Sequence, residues 1–287
     1  MIRFLLVDDE KCLRNILGRV LRESFLGADV RSAPDQAQAL RILQSFNPAI
    51  VITDYCHPGG TGADLLREIR RDPKTRRTPV VLSTAMQTME RELRRAGFNA
   101  VLFKPFDLAQ WVECVSRVLV LDADLGAEVL DIPEERRSLE YLETVDIGSE
   151  DGQAALAKEV MAMANPGGGA IVVGVTEVWP GDFAATGIGD AVAETLETGR
   201  VRAALQDYLE PPVPVAVKRV RDGSRLIAIL RVPNTGEALV RAGKANERAG
   251  LQLGHVYARD GANEIADLGT WEEVRAALAR LRAKAGD

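Results

Sequence analysis

Four short apolar runs in the first 104 residues each end on a polar residue, and that pattern narrows the fold to one class. Residues 2–7 close on Asp8-Asp9 and residues 49–53 close on Asp54. Residues 80–83 close on Thr84, and residues 100–103 close on Lys104, which Pro105 follows. Runs this short suit buried strands rather than helices. Stretches with helical apolar spacing alternate with them. One opens at Pro34 and turns Ala37, Leu40 and Leu43 to a sheet. A turn over residues 57–62 leads to a helix over 63–70, and Asp107 is placed to cap another running to Leu121. Five strands alternating with five helices make a doubly wound, five-stranded parallel sheet with right-handed crossovers. Ligands bind such open sheets at the carboxyl edge, so Asp8, Asp9, Asp54, Thr84 and Lys104 all belong to that edge.

These five residues, in this order, resemble the receiver domain of two-component response regulators, over roughly residues 1–121. The resemblance implies a flavodoxin-like fold and a phosphoryl acceptor at Asp54, served by a sensor histidine kinase or phosphotransfer protein. It implies Mg²⁺ held by Asp8, Asp9, Asp54 and the backbone carbonyl of Cys56, with Asp9 ahead of Asp8 as direct ligand. The cation relieves the repulsion of the clustered carboxylates, since Mg²⁺ favours oxygen ligands and keeps some waters. Lys104 would hold one phosphoryl oxygen as a point charge and the Thr84 hydroxyl another. Such a domain catalyses its own phosphoryl transfer and dephosphorylation. Two positions depart from the family pattern. His57 stands where Met is frequent, and Val101 stands where an aromatic ring usually swings inward on activation.

Composition excludes several classes. The chain is 46% apolar and 27% charged, and its longest apolar stretches are strand-length, which excludes a spanning helix. A first strand at the very N-terminus leaves no room for a signal peptide. Cys12, Cys56 and Cys114 are scattered without metal spacing, and the histidines number two. A reducing cytoplasm fits. Residues 1–121 hold 18 basic against 14 acidic residues, a net +4, whereas residues 122–287 hold 18 against 28, a net −10.

Residues 122–134 read as a connector. Beyond them the expected architecture is α+β with a mixed sheet over 135–269, then an amphipathic helix over 270–287. That helix starts on a Thr270/Glu273 capping box, with Trp271, Val274, Ala277, Leu278 and Leu281 on one face. Such a face packs on its own domain or serves a homodimer. Before it, a helix over 152–164 meets Asn165-Pro166-Gly167-Gly168-Gly169 and then a strand over 170–175. Asp190 is placed to cap a helix, and 200–209 reads as another. Residues 215–220 and 225–232 form a hairpin about residues 221–224, and 238–241 and 255–259 read as strands. The glycine run follows a helix and precedes a strand, the reverse of a phosphate loop, so it reads as a helix end and tight return.

The run Ala164–Val175 resembles the central motif of the Schlafen/AlbA-type domain, a family associated with nucleic-acid binding. Residues 139–143, 210–212, 231–233 and 257–261 match its other pieces in order. That resemblance implies nucleic acid as the output's partner. The candidate cations are Lys218, Arg219, Arg221 and Arg225 on one hairpin, and Arg241, Lys244, Arg248 and Arg259. These charges equally suit the solvent face of an edge strand, and a −10 balance favours a protein partner. Some relatives cleave RNA with an acid cluster. Glu135 and Glu140 match two of those acids and Glu177 is the displaced candidate for the third, which would make a metal-dependent nuclease under phosphorylation control, although Leu142 replaces the Lys of the family segment. A non-catalytic output remains the leading expectation.

Overall fold

The computed structural model describes residues 1–132, 138–235, 238–259, 264–270 and 272–276. Glu135, Trp271, Ala277, Leu278 and Leu281 lie outside them. The chain divides into two compact units at Pro133/Glu134. Among the described residues no helix is long and apolar enough to cross a membrane.

The first unit runs β1 (Arg3–Val7), α1 (Lys11–Ser24), β2 (Asp29–Ala33), α2 (Gln36–Phe46) and β3 (Ile50–Asp54). It continues with a small ribbon of β4 (Cys56–His57) and β5 (Gly60–Thr61), then α3 (Gly62–Arg71), β6 (Val80–Thr84), α4 (Glu90–Arg95), β7 (Ala100–Phe103) and α5 (Leu108–Asp122). The five long strands pair in parallel in the order β2-β1-β3-β6-β7. The middles of β1, β3 and β6 are fully buried, with Leu5, Val51 and Val80 packing against Ala39, Leu43 and Leu65 of the covering helices. Short polar side chains fix the helix starts. Asp35, rather than Pro34, caps α2 by accepting the Gln38 N–H. Thr61 and Asp64 make a reciprocal capping box on α3, and Asp107 and Gln110 make one on α5. After α5, residues 123–132 do not run free. Leu125, Val129 and Ile132 are buried, and the Leu26 N–H donates to the Asp131 carbonyl.

The second unit contains β8 (Leu139–Leu142), α6 (Glu150–Ala164), β9 (Gly169–Val173), β10 (Val175–Trp179), β11 (Asp182–Ala185), α7 (Asp190–Thr195) and α8 (Thr198–Leu205). Then follow β12 (Leu209–Glu210), β13 (Ala216–Asp222), β14 (Arg225–Val232), β15 (Arg241–Ala242), β16 (Val256–Arg259) and β17 (Ile265–Leu268). The main sheet is mixed, in the order β13-β14-β9-β8, with only β8 and β9 parallel. One face meets α6 through Ile171, Val173, Ala228 and Leu230.

Several sequence expectations need correction. The strand expected over 170–175 breaks at Gly174, whose φ of 99° favours glycine. Gly189, not Asp190, is the cap residue of α7. The helix expected to reach Leu209 stops at Leu205, and Leu209–Glu210 instead pair as β12 ahead of Pro211, which favours extended backbone at Glu210. Residues 238–240 are not a strand, and pairing begins at Arg241. The glycine turn behaves as expected: the Gly168 N–H donates back to the Met163 carbonyl and ends α6. Asn165 then bolts the unit together. Its amide donates to the Val240 and Tyr257 carbonyls at 2.9 and 2.7 Å, and its carbonyl oxygen accepts the Val240 N–H.

Candidate functional site

At the carboxyl edge of the first sheet, three charged side chains meet. The Lys104 Nζ lies 2.8 Å from the Asp54 Oδ1 and 3.5 Å from the Asp8 Oδ2. The other Asp54 oxygen accepts the Cys56 N–H at 3.0 Å, and the Glu10 N–H donates to Asp8. Parallel register explains the convergence, since β1, β3, β6 and β7 all end at this edge. A glycine at 62 is required beside the acceptor, because a Cβ there would lie 2.7 Å from the Asp54 carbonyl oxygen.

The electrostatics follow from burial. Burial pushes the Asp8 carboxyl above its ordinary value, and the neighbouring Asp54 charge adds to that, against the pull of Lys104. For Lys104, burial opposes the charge. The hydrogen bond to Asp54 and the two carboxylates outweigh it and hold the ammonium above its usual value. Asp8 is buried and faces Lys104, whereas Asp9 is exposed. Thr84 is buried at the end of β6, and its Oγ1 accepts the Met86 N–H. Cys56 Sγ and Met86 Sδ lie 3.9 Å apart beside the acceptor.

In the second unit the candidate residues do not gather. Arg259, expected on a nucleic-acid surface, is an interior residue. Alternation along β16 puts it on the side of the buried Tyr257, facing α6. Its Nη2 lies 2.7 Å from both Glu140 and Glu159. The other expected cations divide. Lys218 points to the opposite sheet face from Arg219 and Arg221, because residues on one strand alternate. Arg219 donates to the Ala193 carbonyl and lies near Glu197. Arg241 pairs with Glu210, Lys244 with Glu150 and Arg248 with Asp151. Arg221 and Arg225 are exposed at the hairpin end.

Of the acids expected for cleavage, Glu135 lies outside the described residues. Glu140 meets Arg259 as described. Glu177 is exposed and accepts the Gly181 N–H at a hairpin turn. Among the described residues, no three His, Cys, Asp or Glu side chains form a group that could hold a metal. Sequence reasoning missed Glu159. The available signal was its place one residue before the buried Val160 on α6.

Residues 4–116 match the family described as the response regulator receiver domain. The chemotaxis protein CheY of Pseudomonas aeruginosa is 34% identical over 120 residues, covering 41% of this chain and 95% of that protein. The chain belongs to the response regulator receiver family. A second relative, chemotaxis protein CheY-3 of Vibrio cholerae, is 34% identical over 119 residues, covering 41% of this chain and 91% of its own length. Among solved structures, the response regulator TrrA of Thermotoga maritima, in complex with Mg²⁺ and BeF, shares 30% identity. It covers 41% of this chain and 99% of TrrA, with a TM-score of 0.38. Behind the receiver, residues 135–266 match the family described as Schlafen, AlbA_2.

Proposed function

We propose that this chain is a phosphorylation-driven switch in which Asp54 accepts a phosphoryl group from a sensor histidine kinase or phosphotransfer protein. The observation that carries the reading is the Asp54 carboxylate held 2.8 Å from Lys104, with the buried Asp8 beside them. An Asp54 oxygen attacks phosphorus in line. The bond from phosphorus to the donor's imidazole nitrogen breaks, and that nitrogen leaves with the electron pair. Lys104 moves from the carboxylate to a phosphoryl oxygen, and the Thr84 hydroxyl meets another. Two carboxylates sharing one ammonium leave excess negative charge, which suits a hard divalent cation. Asp8, Asp9, Asp54 and the Cys56 carbonyl are the residues to hold Mg²⁺, which supplies neutralisation of the charge developing on the transferred group. The phosphorylated receiver then shifts a pre-existing equilibrium, read out as homodimerisation and as control of the second unit.

For that second unit, the surface supports a protein partner over nucleic acid. The net charge of residues 122–287 is −10. Arg241, Lys244 and Arg248 are each matched by an acid, and Arg259 is interior. Nucleic-acid contact by the output would fall to Arg221 and Arg225, with Arg219 beside them.

The test is intact mass after incubation with Mg²⁺ and a small acyl phosphate donor. One phosphoryl group is expected on the native chain and none on Asp54→Asn. Lys104→Met should slow incorporation by a factor of ten or more, on the order of a lost charge-assisted contact. A phosphoryl group persisting on Asp54→Asn would end the assignment.

A further inference from the structure

The receiver's net charge has an uneven source. Residues 67–77 hold six cations, Arg67, Arg70, Arg71, Lys74, Arg76 and Arg77, against Glu68 and Asp72. Their net +4 equals the net of residues 1–121, so the remainder of that stretch is neutral.

The structure places this segment at the pole opposite the acceptor. Helix α3 starts at Gly62, whose N–H donates to the Tyr55 carbonyl next to Asp54. Its ten residues carry the chain about 15 Å away. The loop that follows leads into Val80 at the amino end of β6, while Thr84 ends that strand on the Asp54 edge.

The loop is built rather than loose. The Arg70 guanidinium donates to the Arg76 and Thr78 carbonyls and to Asn99. Thr75 is buried and its hydroxyl donates to the Ile69 carbonyl. The Asp72 carboxylate accepts the Lys74 N–H, and its carbonyl accepts the Thr75 and Arg76 N–H groups. Arg67 and Arg71 pair with Asp64 and Glu68 along the helix. Asp64 and Glu68 are thereby committed to helix arginines and Asp72 to the turn backbone, and Lys74, Arg76 and Arg77 stand exposed on a fixed turn. No large apolar side chain is exposed among residues 67–77.

We propose that this turn is a polyanion-binding surface for the phosphodiester backbone of nucleic acid, carried by the receiver rather than by the output unit. Three cations without an apolar centre lack the buried core of a protein interface. They suit phosphate contacts, which position a nucleic acid without reading its sequence. Contact with three phosphates gives a salt slope of about −2.7 on duplex DNA, so affinity should fall roughly 40-fold between 50 and 200 mM salt. The proposal goes beyond the Asp54 reading and is independent of it.

The experiment is fluorescence anisotropy of labelled duplex DNA, single-stranded DNA and RNA of one sequence. The full unphosphorylated chain is used, with polyglutamate as competitor. Lys74→Gln/Arg76→Gln/Arg77→Gln alters exposed side chains only, and its fold is checked by circular dichroism. It should weaken binding by ten-fold or more and remove most of the salt slope. Arg219→Gln/Arg221→Gln/Arg225→Gln on the output hairpin should bind as the native chain does. The proposal is overturned if the hairpin variant loses binding while the loop variant keeps it, or if the native chain binds no nucleic acid at about 50 mM salt. Preference for polyglutamate over every nucleic acid would also overturn it and point to an acidic protein. The three nucleic-acid arms distinguish DNA from RNA as the source of the phosphates.

Discussion

Replacing Arg259 with Met should cost the second unit a large part of its stability. The guanidinium is 3% exposed and sits between Glu140 and Glu159, themselves 13% and 23% exposed. Removing the cation leaves two carboxylates close together without the guanidinium that pairs with both. Breaking a buried ion pair in this way costs about 3–5 kcal/mol, because the surviving charge stays desolvated. For a unit of this size each kcal/mol lowers the midpoint by roughly 2–4 °C, so a fall of roughly 6–20 °C is expected. The assay is thermal unfolding followed by circular dichroism, with the receiver transition as an internal reference. A surface arginine reserved for a ligand would change stability by about 0.5 kcal/mol or less. Adding Glu140→Gln and Glu159→Gln to Arg259→Met should recover most of the loss, since the uncompensated charges are then gone. An Arg259→Met chain that melts with the native one would refute the interior ion-pair reading and return Arg259 to the candidate ligand surface.

Two further perturbations test the two units separately. Burial and the Asp54 charge hold the Asp8 carboxyl above its ordinary 3.8, so the folded chain binds that proton more tightly than the unfolded chain. With divalent cations chelated, receiver stability should therefore be greatest below pH 3.8 as far as this group is concerned, and fall as pH rises through the folded value. Urea unfolding of Asp8→Asn should lose that fall and show a more stable receiver at neutral pH; an unchanged pH profile would contradict the assigned cause. In the second unit, Gly169→Ala would drive a Cβ into the Ser138 carbonyl oxygen and the Met163 sulfur. Backbone cannot yield as a side-chain tip can, so a loss of about 3 kcal/mol or more is expected in chemical denaturation. Gly199→Ala, which meets open space on α8, is the matched control and should not destabilise.

How much of this was legible in the sequence depends on what each residue's position rests on. The receiver pocket was readable because parallel pairing brings every strand's last residue to one edge. Reading Asp54, Thr84 and Lys104 as the ends of apolar runs was enough to bring them together. The ranking of Asp9 ahead of Asp8 came from the resemblance and not from the strand ends, since which of two neighbours turns inward depends on the helix that follows. In the second unit the order of elements was readable from turn chemistry, and the β13–β14 hairpin from its Gly223-Ser224 turn. Its charges were harder to place for a different reason. A cation is a surface cation only if no acid comes to meet it, and the acids that meet Arg259 and Arg248 arrive from 100 and 97 residues away. Local spacing carries no trace of such pairs. Conversely, Lys74, Arg76 and Arg77 stay exposed while Asp64 and Glu68 pair with Arg67 and Arg71 and Asp72 accepts a backbone N–H. Those ties span three residues or fewer, so a sequence can show them. Clustered charge is therefore best read by asking where its counter-charges are already committed.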